Sequence, residues 1–303
     1  MKLTILAALS ALSFSLLPMP ANATVPPHLP AAQSGFDSGS LHADVYGTPG
    51  KRALILIPGL DCGPWVWGNE VRRFGPSYTI YALTLPGFDG RPNLAPPLFQ
   101  TVSSDFWTML QQHGITKPIV IGQGLGGTLG IDLATQHSER LGGAVAIDGL
   151  PAYPIIESLP PEQRSATANY WKTIALPSQF VAWIRGYMLP SWVTSSSDAA
   201  AIANASRRTN PVTAAQWYYE HLTIDLRGAM KNANVPLLEI GSYTSWEKRW
   251  WPSGGDKQRY YASLLAGASN ARVVIVAPSQ DLIMYDQPAK LDAAIGAFLQ
   301  SIP

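Results

Sequence analysis

The chain has 303 residues, with 21 Lys and Arg against 20 Asp and Glu and one cysteine, Cys62. This near-neutral balance excludes the strongly basic face that a nucleic acid or other polyanion requires, so no nucleic-acid partner is expected. One thiol excludes an internal disulfide, and the five scattered histidines form no metal-ligand cluster, so neither a metal nor a cofactor is implied.

The chain opens with Met1-Lys2, a mostly apolar run over Leu3–Leu17, and the small–x–small step Ala21-Asn22-Ala23. That order is a secretory signal peptide over residues 1–23, so the mature protein is expected in the periplasm or outside the cell. The apolar run falls short of the ~20 residues that span a bilayer, and no later run is longer. Loss of Lys2 with this segment leaves 20 basic against 20 acidic residues. Residues 24–37, with Pro26, Pro27 and Pro30, read as a loose leader.

From there, short β-type runs alternate with helical patterns. Strands are predicted at Arg52–Pro58, Tyr78–Leu85, Pro118–Gly122, Gly143–Asp148, Val235–Gly241 and Ala271–Ala277. Helices are predicted near Trp65–Phe74, Val102–His113, Leu125–His137 and Pro288–Leu299. Continuous apolar strands between helices predict an α/β protein with a doubly wound, mostly parallel sheet. Residues 151–234 break the alternation: helical pieces lie between Pro160-Pro161, Pro177, Pro190 and Pro211. This span reads as a helical cap inserted into a core of residues 38–150 and 235–303. Its aromatics, among them Trp183 and Trp217, predict an apolar cleft beneath it, with Trp246, Trp250 and Trp251 at the rim.

In open parallel sheets, ligands bind beyond the carboxyl ends of the strands. Those ends read Pro58-Gly59-Leu60-Asp61-Cys62-Gly63, then Gly122-Gln123-Gly124-Leu125-Gly126-Gly127, then Asp148-Gly149, then Ser279-Gln280-Asp281. The glycine loop at 122–127 lacks the Lys-Ser/Thr of a phosphate cradle, so nucleotide binding is not implied. Here the chain resembles the α/β-hydrolase superfamily over about Ser40 to Leu299. Pro58-Gly59-Leu60 resembles the H-G-x oxyanion loop, and Gly122–Gly127 resembles the G-x-S-x-G-G nucleophile elbow. A P-G-F-D-G turn occupies Pro86–Gly90, and L-I-M-Y-D-Q-P from Leu282 is similar to a bacterial branch in which H-F-I-M-x-D follows the last strand.

The departures from that pattern fall on the reacting groups. The resemblance puts Gly124 at the serine position and Asp281 at the histidine position, with Asp148 in a slot that can hold the acid and Thr244 in the commoner acid slot. It also implies an oxyanion hole from the Leu60 and Leu125 N–H groups, which need no particular side chain. Gly124 has no atom to attack with, and acyl transfer by this route needs an attacking oxygen or sulfur and a base beside it. Asp61, Cys62, Gln123, Trp183, Trp217 and His221 are the candidate pocket residues. Two functions follow: a pseudo-hydrolase that binds a small apolar or ester-like ligand, or an esterase-like or other oxyanion-hole enzyme in which Asp281 activates a bound water.

Overall fold

The computed structural model describes residues 29–154, 156–172 and 177–302. The expected signal peptide and residues 24–28 of the expected leader lie outside them. Eight strands form one sheet: β1 Ser34–Ser38, β2 Leu41–Gly47, β3 Ala53–Ile57, β4 Thr79–Thr84, β5 Ile119–Gln123, β6 Gly143–Ile147, β7 Leu237–Ser242 and β8 Ala271–Val276. Their spatial order is β1-β2-β4-β3-β5-β6-β7-β8. The strands from β4 to β8 in that order are parallel, and β1 and β2 add an antiparallel edge. Every residue of β3, β5 and β6 is buried, as strands covered on both faces by helices must be.

The flanking helices are α1 Gly68–Phe74, α2 Leu98–Gln112 and α3 Leu125–Gln136. Among the described residues the span between β6 and β7 holds helices and turns, closed by one isolated antiparallel bridge between Ala152 and Asp225: α4 Pro161–Lys172, α5 Pro177–Trp183, a π-helical turn Ile184–Met188, α6 Leu189–Trp192, α7 Ser196–Ala205 and α8 Pro211–Thr223. After β7 come α9 Gly254–Leu264, α10 Ile283–Asp286 and α11 Pro288–Ser301.

Residues 34–37, expected in the leader, instead belong to β1. The stretch Ser-Gly-Phe-Asp-Ser has one large apolar residue, so it carries no pattern of its own. Long-range partners hold it: Arg91 donates to the Asp37 carboxylate at 2.6 Å, the Ser38 hydroxyl donates to Gln112 Oε1 of α2 at 3.2 Å, and Asp105 of α2 holds the next turn by accepting from the Ser40 N–H at 2.7 Å.

The helical insertion is bolted to the core by polar contacts that bury poorly unless made. Trp217 Nε1 donates to Pro86 O at 3.1 Å. The Glu220 carboxylate accepts from the Leu98 and Phe99 N–H groups at 2.8 and 2.9 Å, so a residue of α8 caps α2. Asn210 N donates to Gly87 O at 2.7 Å, and Asp286 accepts from Thr194 N and Oγ1 at 2.9 and 2.7 Å.

One buried group works against this packing. Glu70 on α1 is fully buried, and neither carboxyl oxygen finds a hydrogen-bond partner among the described residues. Burial pushes its carboxyl up to about 8, with the Asp292 charge adding to the shift. Its folded value lies above the ordinary one, so its contribution is fully favourable below about pH 4 and is lost as pH rises toward 8. Glu70→Gln should therefore unfold like wild type near pH 4 and gain about 2 kcal/mol or more over it at pH 9, read from urea melts at the two pH values. An equal difference at both would show that Glu70 does not titrate across this range.

Candidate active site

The site begins with a close approach of backbones. A Cβ on Gly122 would lie 2.1 Å from Gly126 O, and one on Gly126 would lie 2.3 Å from Ile57 O and 2.6 Å from Pro58 O. Only glycines let the turn from β5 into α3 press against the end of β3. That contact sets the Pro58-Gly59-Leu60 loop beside the first turn of α3. Between them Gly124 adopts φ 50° and ψ −115°, a conformation that L side chains rarely adopt. Its N–H is held by Ile147 O at 2.8 Å. A Cβ there would meet nothing within 4 Å, so the turn points its central residue into open space.

Leu125 is the first residue of α3, where a helix leaves its N–H unpaired. Among the described residues no acceptor takes the Leu125 or the Leu60 N–H. Two backbone donors beside an empty elbow can polarise a ligand carbonyl without help from any side chain.

The carboxyl ends of β6, β7 and β8 supply an ionic cluster. Asp148, at φ 48°, accepts from the Ser242 N–H at 3.1 and 3.0 Å and from the Tyr261 hydroxyl at 3.2 Å. Lys257, only 2% exposed, places Nζ 3.7 Å from Asp148 Oδ1 and donates to Glu247 Oε1 at 2.7 Å. The ammonium also lies 5.2 and 5.0 Å from the Trp251 and Tyr261 rings. Burial pulls the Lys257 ammonium down, but Asp148 and Glu247 outweigh it, and the group is held charged. Thr244 is no acid substitute: it caps the turn at 245–249, and its N–H donates to Glu247 Oε2 at 2.8 Å.

Asp281 follows β8, its N–H 3.4 Å from Ser191 O of α6. No hydrogen bond reaches its carboxyl among the described residues. Burial lifts it to about 8; Asp148, Glu247 and Asp286 push the same way, and Lys257 opposes them. The structure thus brings Asp148 and Asp281 within electrostatic reach of each other. The shift favours the protonated carboxyl, which can donate a hydrogen bond.

The other predicted residues divide. His221, on α8, places Nε2 3.0 Å from the Oγ1 of Thr128, whose own N–H donates to Gly124 O one turn back in α3. The Thr128 hydroxyl donates to Leu150 O at 2.9 Å, so the imidazole must donate from Nε2, as its neutral form does. Burial lowers the imidazole to about 4, so it stays neutral. Gln123 is buried, its amide oxygen against Gly59. Asp61 is buried and faces Ser206 and Thr209 of the insertion; burial raises it to about 7. Trp183 packs on Phe180 and Tyr218.

Two further pocket candidates lie in the packed core. Trp217 is fully buried between Phe88 and Phe99, because its indole N–H has an internal acceptor in Pro86 O. Cys62 is buried too, and burial pushes its thiol far from ionisation, so it is a packing residue. The rim expected at Trp246 and Trp250 turns to solvent, as described below. Of the two clefts described, neither touches the elbow. One, of about 680 Å³, opens at the amino ends of the strands between Arg52, Lys117 and Asn234. The other, of about 420 Å³, lies between α2 and α8. Lys257, Glu247 and Tyr261 were not anticipated. Thr244-Ser245-Trp246-Glu247 is a legible capping box, but nothing local shows that Lys257 turns inward.

These features belong to a known class. The profile of the alpha/beta hydrolase family matches residues 54–294, and the chain is a member of that family. Among its relatives is a pimeloyl-(acyl-carrier protein) methyl ester esterase of Salmonella heidelberg, 23% identical over 209 residues, covering 65% of this chain and 77% of that one. Similar solved folds include the enol-lactonase of Burkholderia xenovorans, with TM-score 0.68, 16% identity and coverage of 86% and 96%. A thermophilic esterase of Thermogutta terrifontis has TM-score 0.70, 15% identity and coverage of 88% and 98%.

Two alanine substitutions separate packing from backbone strain. Gly126→Ala must displace two carbonyls and should cost about 3 kcal/mol or more, or prevent folding. Gly124→Ala meets only the torsional penalty and should cost about 1–3 kcal/mol in urea unfolding. Equal costs would contradict the contact geometry.

Proposed function

We propose that this chain binds a small apolar or ester-like ligand at the vacated elbow and does not perform serine-type acyl transfer. One observation carries the reading: at the turn where its family places an attacking oxygen, Gly124 holds the strained conformation and supplies no atom. The Leu60 and Leu125 N–H groups are the donors to the ligand carbonyl, and the neutral Asp281 carboxyl is a third donor in the histidine position. Asp148 then orients no imidazole and anchors the Lys257 cluster instead. Glycine at the elbow also favours loss of the nucleophile, since serine is held at such angles at a cost of about 1–3 kcal/mol and glycine is not. Export after residue 23, and a cap over residues 151–234, complete this reading.

A second reading rests on Asp281 itself. A carboxyl lifted to about 8 has the basicity that a general base needs, and open space beside Gly124 can admit a water. Such an enzyme would gain rate as pH rises through about 8, where Asp281 loses its proton.

Hydrolysis of short acyl nitrophenyl esters between pH 6 and 9 distinguishes the two. Wild type and Gly124→Ser should stay near the buffer rate, and Gly124→Ser/Asp281→His should gain turnover. A fluorophosphonate probe should label that double variant and spare wild type. A wild-type rate far above buffer that rises through pH 8 and disappears in Asp281→Asn would overturn the binding-only reading in favour of the second.

A further inference from the structure

The turn joining β7 to α9 presents a feature that the elbow does not use. Five large apolar side chains stand out to solvent among the described residues, and two of them, Trp246 (55% exposed) and Trp250 (41%), share this one turn. Their ring centroids are 4.8 Å apart. The Arg249 guanidinium lies over both, 4.1 Å from each centroid. Lys248 beside it is exposed as well.

Charge in the turn is sorted by direction. Its acid, Glu247, points inward to Lys257 and to the Thr244 N–H. Its two cations point outward. The result is a positive, aromatic ridge on a chain whose formal net charge is only +1. The ridge is also pinned: beneath it lie the Glu247–Lys257 pair and the hydrogen bond from the Tyr243 hydroxyl to Trp251 O at 2.9 Å. Little conformational entropy is left to lose when it meets a partner.

We propose that the Trp246–Trp250 turn docks the protein on an anionic phospholipid surface. Indoles settle at the headgroup level, where an apolar ring and a polar N–H are both satisfied. Arginine and lysine beside them draw the negative surface potential of the lipid. Neither of the two clefts described above touches the turn, and its indoles and cations stand exposed on it. It follows β7, at the same carboxyl end of the parallel strands at which β5 leads into Gly124. The inference does not depend on whether the elbow is catalytic.

Co-sedimentation of the purified protein with sucrose-loaded vesicles tests this. Phosphatidylcholine vesicles containing phosphatidylglycerol should bind at least about tenfold more tightly than phosphatidylcholine alone, and added salt should erase the difference. Lys248→Gln and Arg249→Gln should each weaken binding about fivefold, and Trp246→Ala/Trp250→Ala about tenfold or more, with melting temperatures unchanged. Binding that persists in these variants, or no sedimentation with either vesicle, would overturn the proposal. Displacement by millimolar glycerol phosphate would overturn it too, because it would reveal a site for one phosphate and not for a surface.

Discussion

The site depends on one steric constraint: the backbone of the β5–α3 turn lies against the carbonyls of Ile57 and Pro58, at a distance no side chain tolerates. Gly122 and Gly126 make that approach possible. It fixes the angle at which α3 leaves the sheet, the strained torsion of Gly124 and the proximity of the Leu60 loop to the helix start. None of these depends on a nucleophile. The backbone donors at Leu60 and Leu125 come from this packing and need no side chain at Gly124.

The ionic cluster shows what occupies the other half of such a site. Asp148, Glu247 and Asp281 surround a single buried cation, Lys257, so the acids outnumber the charge that can satisfy them. Burial raises the carboxyl of the least paired of them, Asp281, and the neighbouring acids add to that shift. Removing one member of a buried pair costs far more than the pair contributes, since the partner is left desolvated and alone. Lys257 is thus bound to its place by two acids, and its charge only partly offsets the burial that raises the third.

Much of this was legible in the sequence where the signal is local. The apolar runs of β3, β5 and β6 declare buried parallel strands, and the glycine spacing at 122–127 declares the turn. Asp148 and Asp281 were found because strand ends are where such folds place their chemistry. Legibility fails where a residue's role is decided by something distant. Trp217 looks like a pocket wall until Pro86 O, 131 residues away in sequence, claims its N–H. Lys257 reads as an ordinary helix lysine; its two acids come from the ends of other segments. β1 has too few apolar residues to show a period, and its partners are β2, Gln112 and Arg91. Cys62 sits in the right loop, but its burial is a property of the packed core.

The central claim is that the elbow binds an acyl group and leaves it intact. The most direct measurement is ¹³C NMR of a short-chain ester labelled at its carbonyl, titrated with wild-type protein at neutral pH. Binding without turnover gives a saturable shift of the ester carbonyl resonance that lasts for hours, with free acid forming no faster than in buffer. Growth of the free-acid resonance well above the buffer rate, or an ester resonance that never moves as protein is added, contradicts the claim.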